Sequence, residues 1–201
     1  MTLKNKITSI SLFFICLATF LSSCEKTYTP RPRGYFRIAE AEKKPRNIEA
    51  PCGFSFDIPE YSQLELVPGS GADTCWFNIK FRRYNARVHL TYFALDNNLD
   101  KLVEDAYQFA FQHEQKASAI GRSTYSSADN KSAGLIYDLS GNVASSVQFY
   151  VTDSSNHFLR GGLYFENFPN EDSLAPVLTY LRQDVVRMME SIEWKNKSTS
   201  Y

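Results

Sequence analysis

Hydrophobic and polar positions follow three rhythms along the chain. Ile7 to Leu21 is apolar apart from Ser and Thr, with Lys4 and Lys6 in front of it. That run falls short of the roughly 20 residues a helix needs to cross a bilayer, and it ends in small residues. A cleaved secretory signal over residues 1–23 fits this pattern, with a short membrane anchor as the other reading. From residue 53 the period becomes two. Phe54 and Phe56 alternate before Pro59, Trp76 to Phe81 and Val88 to Phe93 read as strands, and Tyr84-Asn85-Ala86 predicts a hairpin between the last two. The period then lengthens: Leu99, Leu102, Val103, Ala106, Phe109, Ala110 and His113 share one face at helical spacing. Asn97 or Asn98 stands as cap and Asp100, Glu104 and Asp105 lie near the positive helix end, so residues 98–116 are predicted as helix.

A second strand group follows in Ile120 to Ser126, Gly134 to Leu139, Ser145 to Thr152 and His157 to Phe165. Turn residues separate these strands, at Asp129-Asn130-Lys131, Ser140-Gly141-Asn142 and Asp153-Ser154-Ser155-Asn156. The spacing suits an antiparallel meander. A closing helix is predicted with Ser173 as N-cap, which puts Pro176 at the third helical position. Its buried stripe would be Leu174, Val177, Leu178, Leu181, Val185, Met188, Met189 and Ile192. Strands, helix, strands, helix predicts an α+β fold, a mostly antiparallel sheet with two main helices packed on it, in a single domain over residues 51–194. Residues 195–201 are a polar tail. The element order and the helix ending in Ser191-Ile192-Glu193-Trp194 are similar to Mog1/PsbP-like sandwich domains, an analogy of fold alone.

The end of the signal, Leu21-Ser22-Ser23-Cys24, resembles a bacterial lipobox with Cys24 as the lipidated mature N-terminus. Several acyl chains at ~0.8 kcal/mol per buried methylene would tether the protein without spanning the membrane. Glu25-Lys26-Thr27-Tyr28 lacks the acidic run that resembles a surface-export signal in lipoproteins of the Bacteroidetes type. The expected location is therefore the cell envelope facing the periplasm, with the inner leaflet of the outer membrane favoured over the inner membrane. Residues 24–50 form the lipidated tether, and Gly34 to Ile38 is its predicted first strand.

Charge changes the picture only locally. The 201 residues hold 22 Lys plus Arg and 22 Asp plus Glu, so no bulk excess marks a nucleic-acid partner. Residues 25–50 carry plus three, while residues 51–201 carry minus five. Arg31, Arg33 and Arg37 could meet an anionic headgroup or a partner near the membrane; a solvated linker accounts for them equally well.

Once Cys16 leaves with the signal and Cys24 carries lipid, Cys52 and Cys75 remain. In an oxidising periplasm such a pair makes a natural disulfide, with buried free thiols as the alternative. Metal-ligand spacing is lacking, since there is no CxxC and the three His stand singly at 89, 113 and 157. No GxSxG, GxGxxG, Walker or HExxH signature is present. Asp153-Ser154-Ser155-Asn156-His157 contains triad residue types, but a hairpin tip collects them by turn preference alone. His89 and His113 read as hydrogen-bonded structural residues rather than ligands, and Gly141 to Ser146 as a turn rather than a phosphate cradle. Arg160, inside an apolar strand, needs a partner for its charge, either another protein's carboxylate or an internal ion pair. One functional reading is thus a periplasmic ligand-binding or hydrolytic lipoprotein with a pocket near His89, His157 and Arg160.

A second reading comes from resemblance. Cys24, Tyr28 to Ile38, Cys75 to Ile79, Val88 to Tyr92, Tyr137 to Phe149, His157 to Phe165 and Pro169 to Pro176 together resemble the GldD gliding motility lipoproteins of Bacteroidetes. Gly161-Gly162 stands where that pattern leads one to expect Gly-Ala, and the tail after Trp194 is longer. The resemblance implies a non-enzymatic envelope lipoprotein for gliding motility and the associated type IX secretion. It would work with other gliding or secretion lipoproteins, without a cofactor or small-molecule substrate.

Overall fold

The computed structural model describes residues 39–68, 74–112, 116–127, 131–166 and 170–195. In chain order these form β1 (Pro45–Glu49), β2 (Phe54–Pro59), β3 (Gln63–Leu66), β4 (Thr74–Phe81), a 3-10 turn (Arg82–Tyr84), β5 (Ala86–Ala94) and helix α1 (Leu99–Phe111). There follow β6 (Ala117–Ser126), β7 (Ala133–Gly141), β8 (Ser145–Thr152), β9 (His157–Phe165), helix α2 (Glu171–Glu190) and β10 (Glu193–Trp194). The chain is α+β, with two helices packed on antiparallel sheet, as the two periodicities imply.

Seven strands make one sheet in the order β3-β4-β5-β9-β8-β7-β6, and β1-β2-β10 make a second. The two sequence groups of strands are therefore continuous. The meander β6 to β9 returns so that β9 pairs with β5 along its whole length, from Ala86 opposite Phe165 to Ala94 opposite His157. Helix α1 is the crossover that carries the chain from β5 to the far edge.

Alternation along these strands gives the large sheet two apolar faces. One face (Phe77, Ile79, Val88, Leu90, Phe149, Leu159, Leu163) packs against β2 and the stripe Val177, Leu181, Val185, Met188 and Met189 of α2. Phe54 is its hub, with ring centroids 5.2 Å from Trp194, 5.6 Å from Tyr92 and 5.7 Å from Phe56. The other face carries Tyr137, Leu139, Tyr150 and Phe158, covered by Leu102, Ala106 and Ala110 of α1. Burying each such side chain is worth about 1.5–3 kcal/mol. A bidentate pair from Arg182 Nε and Nη2 to the Asp138 carboxylate, at 2.5 and 2.7 Å, fastens α2 to β7.

Several expectations need correction. Asn170, not Ser173, caps α2, accepting from the Ser173 N–H at 3.1 Å. Pro176 consequently lies in the second turn, inside the helix. The first helix stops at Phe111, five residues before the predicted end, with residues 113–115 outside the described set. Phe109, placed by spacing on its buried face, is 45% exposed. The predicted strand at Gly34 to Ile38 lies outside the described residues, and the first described strand is Pro45–Glu49. Residues 41–50, assigned to the tether, are in fact docked: β1 pairs with β2, and Ala41 exchanges hydrogen bonds with two tyrosine hydroxyls.

Candidate functional site

Strand parity and register decide which candidate residues meet. In β9, His157 and Arg160 are three apart and so point to opposite faces. Thr91 lies opposite Arg160, and His89 is two residues away on the same strand, which puts His89 and Arg160 on the α1 face. His157, opposite Ala94, shares the α2 face with Tyr92. A single pocket bounded by His89, His157 and Arg160 therefore does not exist.

His157 is buried in a structural setting. Its Nδ1 lies 2.8 Å from the Tyr92 hydroxyl, and its ring stacks on Trp194 with centroids 5.0 Å apart and planes 4° from parallel. The Asp153 Oδ1 atom accepts three backbone N–H groups, from Ser155 at 3.0 Å and from Asn156 and His157 at 2.8 Å. Burial by itself would raise the Asp153 carboxyl, but these donors outweigh it and hold the group below its ordinary value. The triad residue types at this tip thus form a hairpin turn. Asn142, in the Ser140-Gly141-Asn142 turn, accepts from the Glu171 N–H at 3.0 Å and so docks the start of α2.

Cys52 and Cys75 form a disulfide with Cα atoms 6.0 Å apart, bridging the loop before β2 to the start of β4. Cys24, Arg31, Arg33, Arg37 and His113 lie outside the described residues.

Beyond the cover of α1, the same sheet face is open and ordered in rows. Glu65, Asn78 and His89 stand side by side across β3, β4 and β5, and Lys80 stands beside Arg87. Asn78 Oδ1 lies 2.7 Å from His89 Nδ1, and Arg87 bridges Glu65 and Glu166 at 3.0 and 3.1 Å. Burial, and then Arg87, push the His89 imidazole below its usual value against the pull of Glu65, so it is neutral at pH 7. The next row is Trp76, Thr91 and Arg160. Trp76 is 43% exposed. The Arg160 guanidinium lies 4.0 Å from the Phe109 ring centroid and 5.9 Å from that of Phe93. Among the described residues it makes no hydrogen bond or ion pair. Burial lowers its pKa, opposed by the nearby Asp105 carboxylate. A partly desolvated guanidinium lying over the Phe109 ring keeps its N–H donors for other acceptors.

A second polar cluster escaped the reading of residue types. Asp184, on α2, has a side chain only 1% exposed, and Lys43 Nζ approaches its Oδ1 to 3.2 Å. Tyr61 donates a short hydrogen bond to the other carboxylate oxygen, Oδ2. Burial first, and then that hydrogen bond, push the Tyr61 phenol far above its ordinary value. Tyr61, Tyr84 and Tyr180 pack in a triangle with centroid separations of 5.5 to 6.1 Å. A cleft of about 290 Å³ opens beside this cluster, between Lys43 to Pro45 on one wall and Ile58, Asp184 and Arg187 on the other. The sequence does carry a signal for it. Asp184 interrupts the stripe Leu181, Val185, Met188, and a carboxylate at a core-facing helical position needs a buried partner.

Among the described residues no group of three or more His, Cys, Asp or Glu is placed to hold a metal, and no helix is long and apolar enough to cross a membrane. The family model described as gliding motility lipoprotein GldD matches residues 25–194. Among curated proteins none matches. The solution structure of cyanobacterial PsbP (CyanoP) from Synechocystis sp. PCC 6803 is similar at 12% identity, covering 87% of this chain and 99% of that one, with a TM-score of 0.47.

Proposed function

Because the chain belongs to the gliding motility lipoprotein GldD family, we propose that it is a non-enzymatic envelope component that assembles or stabilises partner proteins for gliding and type IX secretion. Lipid on Cys24 holds it in the inner leaflet of the outer membrane, facing the periplasm. Arg31, Arg33 and Arg37 lie against anionic headgroups or a partner close to that surface.

One observation carries the partner-binding part of this reading: exposed Trp76 on the open sheet face and exposed Phe109 on α1 flank Arg160, Trp76 from across Thr91 and Phe109 by ring contact. Trp and Arg are the residues most enriched at the energetic centres of protein interfaces, where truncating one costs about 2 kcal/mol or more. Among the described residues no carboxylate lies at hydrogen-bond distance from Arg160, so a partner's Asp or Glu can take both arms of its fork. The non-enzymatic part is supported by the geometry at residues 153–157, where Asp153 and His157 are committed to a turn and to Tyr92 and Trp194.

The test is replacement of Trp76, Phe109 and Arg160 by alanine in cells, with envelope levels of the protein verified. Colony spreading and secretion of a type IX cargo should both fall. Undiminished spreading and secretion at normal protein levels would refute the assignment of this face. Metabolic palmitate labelling that is lost in Cys24→Ala is expected for the anchor; label persisting in that variant would refute it.

A further inference from the structure

Lys43 is held as a ligand is held. Its ammonium nitrogen lies 2.9 Å from the Tyr180 carbonyl oxygen, 3.0 Å from Gln183 Oε1 and 3.2 Å from Asp184 Oδ1. It also sits 3.8 Å from the centroid of the Tyr180 ring. An alkylammonium has three N–H donors and no acceptor, and here it donates two hydrogen bonds, to Tyr180 and Gln183, and forms an ion pair with Asp184 above an aromatic face. The same carboxylate is fixed from its other side by Tyr61, so the site is organised by residues that do not touch Lys43. A planar guanidinium is wider and spreads its donors in one plane, which suits three oxygens around a point poorly.

The chain on either side of Lys43 is tied down next to this socket. The Ala41 N–H donates to the Tyr84 hydroxyl at 3.1 Å, and the Tyr180 hydroxyl donates to the Ala41 carbonyl at 2.6 Å. The Glu60 N–H donates to the Lys44 carbonyl at 2.9 Å. We propose that Tyr180, Gln183 and Asp184 form a primary-ammonium binding site whose resident ligand is Lys43, and that this plug fastens residues 41–44 as a strap on the body.

The consequence is mechanical. Among the described residues, the first one fastened to the body is Ala41 with the strap closed and Pro45 with it open, which frees up to about 14 Å more of chain. Because the ligand is covalently part of the chain, its effective concentration is high, and an amine from outside competes only when Lys43 is absent.

The experiment uses the full chain in detergent and a glutamate-specific protease, which reads strap opening at the bond after Glu42. In the wild type that bond should be cut slowly. In Lys43→Ala it should be cut at least about tenfold faster, the change expected when charge-assisted hydrogen bonds are lost. Millimolar n-propylammonium should slow cleavage of Lys43→Ala again, whereas tetramethylammonium at equal concentration, with no N–H, should not. Asp184→Asn retains an acceptor for Tyr61 but removes the charge; it should also be cut faster, which keeps the test valid if Lys43→Ala folds poorly. Cleavage of both variants at the wild-type rate would overturn the strap. Acceleration that n-propylammonium fails to reverse beyond the tetramethylammonium control, in a Lys43→Ala protein with native near-UV dichroism, would overturn the ammonium site.

Discussion

Gly161 and Gly162 are neighbours in β9 but face opposite sides of the large sheet, so alanine at the two positions should behave differently. A Cβ on Gly161 would lie 2.3 Å from Phe149 Cζ, 2.6 Å from its Cε1 and 2.9 Å from Leu90 Cδ2. Phe149 and Leu90 are each 1% exposed. Ordinary carbon contacts begin near 3.5 Å, so the Phe149 ring would have to retreat by about 1 Å into a core already at crystal-like density. Overpacking of this kind costs about 1–3 kcal/mol. A Cβ on Gly162 would meet Tyr164 Cε2 at 3.0 Å, Ser145 Oγ at 3.3 Å and Gln148 Cγ at 3.7 Å. The Tyr164 ring is the far end of a half-buried side chain and can yield a few tenths of an ångström. Removing a strand glycine returns roughly 0.5–1 kcal/mol through the unfolded state, so Gly162→Ala should be close to neutral. Equilibrium urea unfolding at a common slope measures both variants. Equal midpoints for Gly161→Ala and the wild type, or equal losses in the two variants, would refute the packing argument. Alanine at 162 is also what the family resemblance leads one to expect, and a small shift of the Tyr164 ring accommodates it.

Reducing the Cys52–Cys75 disulfide, or replacing both cysteines by serine, should lower stability by about 3 kcal/mol on the chain-entropy model; a urea midpoint unmoved by reductant would contradict this. Tyr61→Phe leaves the buried Asp184 carboxylate without its hydroxyl donor and should cost about 1–3 kcal/mol, measurable in the same assay. His89 has a folded pKa below its usual value of 6.5, so the unfolded chain binds the proton more readily. Its contribution is complete above pH 6.5 and is lost as the pH falls from there through the folded pKa. His89→Gln should accordingly lose less stability than the wild type on acidification over this window, and parallel pH profiles would rule the linkage out.

Local pattern was enough for the long elements. Strands β8 and β9 carry the predicted bounds, β4, β5 and β7 differ from theirs by one to three residues, and both helices follow from apolar spacing. These elements bury a face that repeats with its own backbone period, so a few consecutive residues suffice to reveal them. The opposite orientation of His157 and Arg160 was legible too, since an odd spacing in a strand reverses the face.

Strands β1, β3 and β10 were not legible. They are short, rich in charged or polar residues, and are held by partners far along the chain, as when Glu193 pairs with Ser55. Asn170 outcompeted Ser173 as cap because its side chain reaches the Ser173 N–H while Asn142 docks the Glu171 N–H. Which face His89 shares with Arg160, the exposure of Phe109 and the meeting of Lys43 with Asp184 all depend on register and on contacts between residues remote in sequence. Periodicity along one segment says which side is buried; only the assembled sheet says what that side is buried against, because cross-strand register and helix docking are decided by the whole core at once.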